Sequence, residues 1–156
     1  MARQKGFDEN KVLHQMMEVF WRQGYEATSM RHIESATKLS PSSLYNTFGS
    51  KKNLFDRTLK FYIETVIGRR IEQYLISYQP ALDGVRQFIV STFKDVPFGY
   101  HRQSCLLVNS AAEVGQAERV IGLTILAGLK KVDKAIICAL QRGKAAGELP
   151  AHIDCH

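Results

Sequence analysis

Signals that end one helix and begin the next divide the first fifty residues into short segments. Gly24 stands where a helix C-cap belongs, and Ser29 is a good N-cap residue. Ser40 is a second N-cap, followed by Pro41 at the first helical position, and Gly49 ends the segment that they begin. These signals predict three short helices in close succession. They are a helix over residues 8–23, one of about two turns from residue 30, and one over residues 41–48.

Apolar residues recur every three or four positions in the rest of the chain, which is typical of helices. The predicted segments are a long helix from Ser50 toward Tyr78 with Gly68 as a candidate kink, a helix from about Leu82 to a stop at Pro97 and Gly99, and helices over residues 105–114 and 116–142. No segment alternates as a strand does, so the predicted fold is all-α. We place a domain boundary near Tyr62, between residues 1–62 and residues 63–156.

The basic character of the chain is uneven. The formal net charge is +6, and residues 1–62 carry ten Lys and Arg against six Asp and Glu, which is +4 of that excess. A basic N-terminal part fits a polyanionic partner such as nucleic acid, although a modest positive excess is also typical of an ordinary solvated surface.

The cysteines and the apolar runs limit the protein class. The three cysteines include no CxxC pair, so we expect neither a disulfide framework nor a zinc ribbon, and we expect a reducing cytoplasmic location. No uncharged run approaches the roughly 18 residues that a membrane span needs. We therefore expect no membrane association. No cluster of residues suited to catalysis or metal binding stands out, so we also expect no metal, no cofactor and no enzymatic activity.

Three short helices with a tight turn between the second and third predict a helix-turn-helix. The open side of its third helix would carry short polar residues and a tyrosine, namely Ser42, Ser43, Tyr45, Asn46 and Thr47. Asn pairs bidentately with adenine, while Ser, Thr and Tyr bond base edges or phosphates. Arg31, Lys51 and Lys52 flank this helix and could neutralise phosphates. The alternative is a small surface helix with capping serines.

The same residues closely resemble the TetR family of one-component bacterial regulators. The resemblance is strongest in the run Ser40-Pro41-Ser42-Ser43-Leu44-Tyr45-Asn46-Thr47-Phe48-Gly49-Ser50-Lys51-Lys52-Asn53-Leu54. It implies an N-terminal helix-turn-helix domain joined by a long helix to a helical ligand-binding and dimerisation domain. A homodimer would grip two half-sites of double-stranded operator DNA and release them when a small molecule binds. By position, Arg31, Ser42, Ser43 and Asn46 are similar to base-edge contacts, and Ser29, Tyr45 and Lys51 to phosphate contacts.

The chain departs from the family pattern at three places. Glu34 stands where Ala is usual, and Lys38 stands in the turn where Gly is usual, so a positive φ at Lys38 would strain the backbone. The family usually has one more long helix after the Gly147 to Pro150 turn, and this chain ends at His156. We therefore expect a shortened dimerisation bundle in which the helix over 116–142 still pairs with its symmetry mate.

The second part offers residues for an effector site. Tyr62, Phe88, Phe93 and Cys105 are candidate ligand contacts, with ordinary apolar core as the alternative. Cys105 follows basic residues and could sense electrophiles or oxidants, with a buried inert cysteine as the alternative. Glu113 and Glu118 are expected to face solvent.

Together these patterns predict a sequence-specific DNA-binding regulator, a repressor released by a small-molecule or thiol-reactive signal. The first alternative is a ligand-independent DNA-binding protein whose C-terminal helices serve only for assembly. The second is a helical protein-interaction module or an enzyme.

Overall fold

Three short helices form the N-terminal part, as their caps predict. The computed structural model describes residues 7–94, 105–115 and 118–155. Asp8 caps the first helix by accepting the N–H groups of Asn10 at 2.9 Å and Lys11 at 3.3 Å, and Gly24 ends it at φ 82°. The three helices are α1 (Glu9–Gln23), α2 (Met30–Thr37) and α3 (Pro41–Phe48).

A long helical run follows Ser50, which caps it through the N–H of Asn53 at 3.2 Å. Its parts are α4 (Lys51–Tyr62), a π-helical segment (Ile63–Ile67), α5 (Gly68–Arg70) and a second π-helical segment (Ile71–Ile76). Gly68 itself has ordinary helical angles, φ −57° and ψ −44°. The α-helical geometry therefore changes on both sides of the predicted kink, in segments where the backbone takes up extra residues per turn.

Three further helices complete the described part of the chain: α6 (Ala81–Lys94), α7 (Leu106–Val114) and α8 (Arg119–Ala145). The predicted stop at Pro97 and Gly99 lies outside the described residues. Cys105 is the N-cap position of α7, and α8 ends three residues later than expected. Residues 7–94, 105–115 and 118–155 contain no strand, so the all-α prediction is confirmed.

One apolar core runs through both parts of the molecule. Side chains from α1 to α4, such as Phe20, Leu44 and Phe55, belong to the same buried cluster as Leu107 and Ile121 of α7 and α8. The core therefore crosses the expected boundary near Tyr62, and the division into two domains stays a prediction.

In the ranges that the structure describes, no helix is both long enough and apolar enough to cross a membrane.

Candidate functional site

The third helix is anchored by its apolar side and leaves its polar side open. Leu44 and Phe48 of α3 are buried in the core. Ser42, Tyr45 and Asn46 are exposed, and about half of the Tyr45 surface is accessible (51%). The polar face predicted from sequence is therefore available to a partner.

The serines of α3 gather around its N-cap. Ser40 Oγ accepts the Ser43 N–H at 3.3 Å and donates to Ser43 Oγ at 3.0 Å. Ser42 Oγ lies 3.0 Å from Ser40 Oγ. Ser43 and Thr47 are half-buried. The hydroxyls of the predicted base contacts thus stand at the first turn of α3, the end from which a recognition helix usually reaches base edges.

A reciprocal cap fixes the start of α2. Ser29 Oγ accepts the His32 N–H at 3.3 Å, and His32 Nδ1 accepts the Ser29 N–H at 3.2 Å. This is a capping box in which His32 takes the place that Glu or Gln usually fills. Arg31 is exposed beside it. Sequence reasoning identified Ser29 and missed His32, whose position three residues after the cap was the available signal.

The turn between α2 and α3 contains a residue other than glycine with a positive φ. Lys38 lies in the left-handed region at φ 58°, ψ 19°, and its N–H bonds Glu34 O at 2.8 Å. Its side chain is exposed. A positive φ at Lys38, the condition under which a residue other than Gly strains the backbone here, is therefore present.

The two lysines at the start of α4 have different surroundings. Lys51 Nζ lies 4.4 Å from the centre of the Tyr25 ring and 3.4 Å from Glu26 O, on the loop between α1 and α2. Lys52 Nζ pairs with Glu118 at 3.3 Å. The Glu118 side chain is 34% exposed, so it faces solvent only in part, because the folded chain brings it to α4.

Glu113 also has a partner in the N-terminal part. Its Oε2 accepts the Tyr25 N–H at 3.1 Å and its Oε1 accepts the Glu26 N–H at 3.0 Å. The expectation that Glu113 faces solvent is wrong, because both of its carboxylate oxygens bond the loop between α1 and α2. A contact across almost ninety residues leaves no local signal in the sequence.

Arg57 of α4 supports the end of α3. It donates to Thr47 O at 3.2 Å, its guanidinium lies 4.8 Å from the Phe48 ring centre, and it forms an ion pair with Glu9 of α1. These contacts join three helices around the candidate reading helix and restrict how α3 can tilt.

An apolar cavity of about 220 Å³ lies between the second half of the long helical run, α6, α7 and α8. It is smaller than the roughly 300–1,000 Å³ of typical ligand pockets, so it suits a small ligand. Three of the four predicted ligand contacts line it, namely Phe88, Phe93 and Cys105. The structure thus brings together side chains that are far apart in the sequence.

The fourth predicted contact, Tyr62, lies behind the cavity wall. Its hydroxyl donates to Cys105 Sγ at 3.4 Å, and its ring meets Trp21 of α1 edge to face, with 5.2 Å between centres. Burial raises the pKa of Tyr62 above its ordinary value, and the Cys105 thiol adds to the effect. Tyr62 therefore stays a neutral hydrogen-bond donor to the thiol.

Sequence reasoning missed the other residues of the cavity wall. They are Ile67, Arg70, Thr92, Leu107, Val108, Leu129 and Val132. Arg70 is 7% exposed and lies on the same side as Ile67 and Ile71. A charge within an apolar stripe was the available signal.

In the described ranges, no group of three His, Cys, Asp or Glu side chains could hold a metal ion.

The sequence of this chain is similar to a known protein family. The sequence model described as "Bacterial regulatory proteins, tetR family" matches residues 12–58, which run from α1 into α4. YezE of Bacillus subtilis, an uncharacterised HTH-type transcriptional regulator, is 32% identical over 152 residues, covering 96% of this chain and 76% of YezE. The HTH-type transcriptional repressor ComR of Escherichia coli is 27% identical over 158 residues, covering 98% of this chain and 73% of ComR.

A solved structure has the same fold. A cysteine mutant of the TetR family transcriptional regulator CifR, in complex with 26-base-pair double-strand operator DNA, matches 99% of this chain and 80% of its own with a TM-score of 0.82 and 27% identity. The fold, the helix-turn-helix and the relatives agree. This chain belongs to the TetR family, and it is a DNA-binding transcriptional regulator.

Proposed function

We propose that this regulator is a cytoplasmic repressor that binds operator DNA as a homodimer and releases it when a small molecule or thiol-reactive compound occupies the cavity beside Cys105. The observation that carries the proposal is the open polar face of α3. Ser42, Tyr45 and Asn46 are exposed there while Leu44 and Phe48 anchor the helix.

In this proposal α3 enters the major groove. Asn46, Ser42 and Ser43 contact base edges with Arg31 of α2, because amide, hydroxyl and guanidinium groups match the groove's donors and acceptors. Each good bidentate pair would discriminate against a wrong base by about 1–3 kcal/mol.

Phosphate contacts would set the register of the complex. Tyr45 presents its exposed hydroxyl to the backbone, and Ser29 does so from the N-terminus of α2, where the helix dipole favours an anion. Lys51 supplies a positive charge from the start of α4, held in place by the Tyr25 ring.

The dimer would form through α8. Val120, Leu123 and Leu126 follow one another at three-residue spacing on this helix and are 50%, 59% and 47% exposed. Exposed apolar side chains grouped on one helix are typical of an interaction surface. A two-fold axis there would present two α3 helices to successive major grooves, about 34 Å apart.

The effector site would be the apolar cavity. Its wall of Phe88, Phe93 and Cys105 favours a small, mostly apolar compound, and the thiol could also form a covalent bond with an electrophile. Repression is proposed by analogy with ComR, which is named a repressor.

A DNA-binding titration tests the first half of the proposal. Binding sites would be selected from random duplex DNA, and affinity measured by fluorescence anisotropy at two salt concentrations. Tyr45→Ala and Asn46→Ala are expected to weaken binding at least about tenfold, and affinity should fall steeply with salt. Tyr78→Ala and Asn10→Ala, which change exposed residues outside α3, are the matched controls. Equal affinity of all four variants would contradict the assignment of α3.

A thermal-shift screen with small apolar compounds tests the second half. A ligand of the native state raises the melting temperature by mass action, and it should also release the DNA. If no compound or thiol reagent changes DNA affinity, the alternative of a ligand-independent regulator is correct. If a mild oxidant acts equally on the unsubstituted protein and on Cys105→Ser, the thiol has no sensing role.

A further inference from the structure

One helix connects the effector cavity with the DNA-reading part. Cys105 is the N-cap position of α7, and Leu107 and Val108 in its first turn line the cavity. Glu113, in its last turn, holds the loop between α1 and α2. At 1.5 Å per residue, the two ends lie roughly 12 Å apart along one rigid element.

The contact at Glu113 is specific in its geometry. Both carboxylate oxygens are used, one for the Tyr25 N–H at 3.1 Å and one for the Glu26 N–H at 3.0 Å. A Cβ atom at residue 24 would lie 2.8 and 2.9 Å from these oxygens, and the backbone there has φ +82°. Gly24 is therefore needed twice, for the turn and for the approach of the carboxylate.

The loop held by Glu113 leads directly into the reading helices. Thr28 Oγ1 donates to Gly24 O at 2.6 Å within it, and Ser29, the cap of α2, follows. Lys51 holds the same loop through Glu26 O. The position of the loop therefore sets the position from which α2 and α3 start.

Near both of its ends α7 is tightly packed, so it has little room to move sideways. Leu107 and Val114 are buried. At Gly128 of α8, an added Cβ would lie 2.9 Å from Leu107 Cδ2 and 2.8 Å from Ile63 Cδ1. Because close-packed interiors transmit displacement rather than absorb it, a shift at the Cys105 end should reach Glu113.

We propose that Glu113 is a positioning residue, the latch through which α7 couples the effector cavity to DNA affinity. With the latch closed, the α1–α2 loop holds α3 in its DNA-binding orientation. An occupant of the cavity, or an adduct on Cys105, displaces α7 and opens the two hydrogen bonds. This rests on the proposed function, since it names how the same cavity controls the same reading helix.

Two other polar contacts between the two parts do not run through α7. Thr124 of α8 donates to Asp56 of α4 at 2.5 Å, and Lys52 of α4 pairs with Glu118 at 3.3 Å. These contacts would keep α4 on α8 while the latch opens. The loop would then move relative to an otherwise intact molecule.

Amide exchange tests the latch without DNA. Glu113→Ala is expected to speed exchange of the Tyr25 and Glu26 amides about tenfold or more, because each loses a charged acceptor. Glu26→Ala is the matched control, since it removes one negative charge beside the latch and leaves both N–H groups bonded to Glu113. Glu113→Gln, a milder change, guards against a folding defect in the alanine variant. Unchanged exchange in both Glu113 variants would overturn the proposal.

Alkylation tests the coupling. In a Cys138→Ser, Cys155→Ser background, the Cys105 thiol would be treated with N-ethylmaleimide. In this addition the Cys105 sulfur forms a bond to one carbon of the maleimide double bond, and the thiol proton is transferred to the other carbon. We expect the adduct, confirmed by mass, to weaken binding to the selected DNA at least about fivefold when Glu113 is present and hardly at all in Glu113→Ala, where coupling is already lost.

The outcomes separate the two proposals. Equal weakening by the adduct with and without Glu113 would show that the signal bypasses the latch and overturn this inference. Tighter DNA binding by Glu113→Ala than by Glu26→Ala would overturn it as well, because the closed latch would then oppose binding. Failure of the unsubstituted protein to select any DNA sequence would instead count against the proposed function, while amide exchange still decides whether the latch exists.

Discussion

At the residue scale, a histidine serves the start of α2 in the place of a carboxylate or amide. Its Nδ1 accepts the Ser29 N–H at 3.2 Å while Ser29 Oγ accepts the His32 N–H at 3.3 Å. The Ser29 N–H thereby gains a partner at the helix N-terminus, and the His32 N–H, which also lies 3.1 Å from Ser29 O, gains a second acceptor. The cap also sets the first turn beside the predicted DNA contacts Ser29 and Arg31.

His32→Ala should therefore lower the free energy of unfolding by about 0.5–1 kcal/mol, the usual worth of a helix cap. His32→Gln keeps an acceptor at the same position and should retain most of the stability. Urea denaturation monitored by circular dichroism would measure both. An alanine variant as stable as the original would mean that the second bond of the box contributes nothing.

Lys38 is a second residue whose local conformation affects the stability of the fold. At φ 58° its Cβ is crowded by the backbone, and glycine would relieve this strain. Lys38→Gly should raise the free energy of unfolding by about 0.5 kcal/mol, because part of the relief is offset by the greater entropy of the unfolded chain. Lys38→Ala removes the charge but keeps Cβ, so it should change stability little. If alanine stabilised as much as glycine, charge rather than backbone strain would be the cause.

At the scale of elements, α8 shows how packing decides what a glycine does. A Cβ at Gly128 would meet Ile63 and Leu107 at 2.8 and 2.9 Å, whereas a Cβ at Gly143 would meet its nearest neighbour, Glu148, at 3.4 Å. Both glycines lie inside the same helix. Helix propensity alone predicts the same gain from alanine at either position.

Packing predicts opposite results. Gly128→Ala should lower the free energy of unfolding by about 1–3 kcal/mol through overpacking. Gly143→Ala should leave it unchanged or raise it by up to about 1 kcal/mol. Thermal melts of both variants would decide, and a loss at both positions would mean that the spacing around Gly143 is also too tight.

At the scale of the whole molecule, assembly depends on the apolar face of α8. Leu123→Glu would place two carboxylates, one from each copy, within the proposed interface, where burial of unpaired charge is costly. We expect the variant to be monomeric at concentrations where the original is dimeric, with DNA affinity reduced at least about tenfold. Light scattering after size-exclusion chromatography would measure the mass.

Ile76→Glu is the control for this prediction, since Ile76 is 53% exposed and lies on the long helical run rather than on α8. It should leave the mass unchanged. A Leu123→Glu variant that stays dimeric would place the interface elsewhere on the molecule.

The sequence alone determined the features that depend on neighbouring residues. Caps at Asp8, Ser29, Ser40 and Ser50 act within three residues, so they set the starts of α1 to α4 before any tertiary contact forms. The same short range makes the polar face of α3 readable from spacing. Cys105, Phe88 and Phe93 were identified as candidates, but their convergence on one cavity was not predictable.

Only the tertiary structure decided the contacts between distant segments. Glu113 meets Tyr25, and Glu118 meets Lys52, because α7 and α8 fold back onto the N-terminal helices. The π-helical turns on both sides of Gly68 were equally hidden from the periodicity of the long helix. Hydrogen bonds and ion pairs between residues far apart in the sequence depend on how whole helices pack together. A local sequence pattern carries no information about that packing.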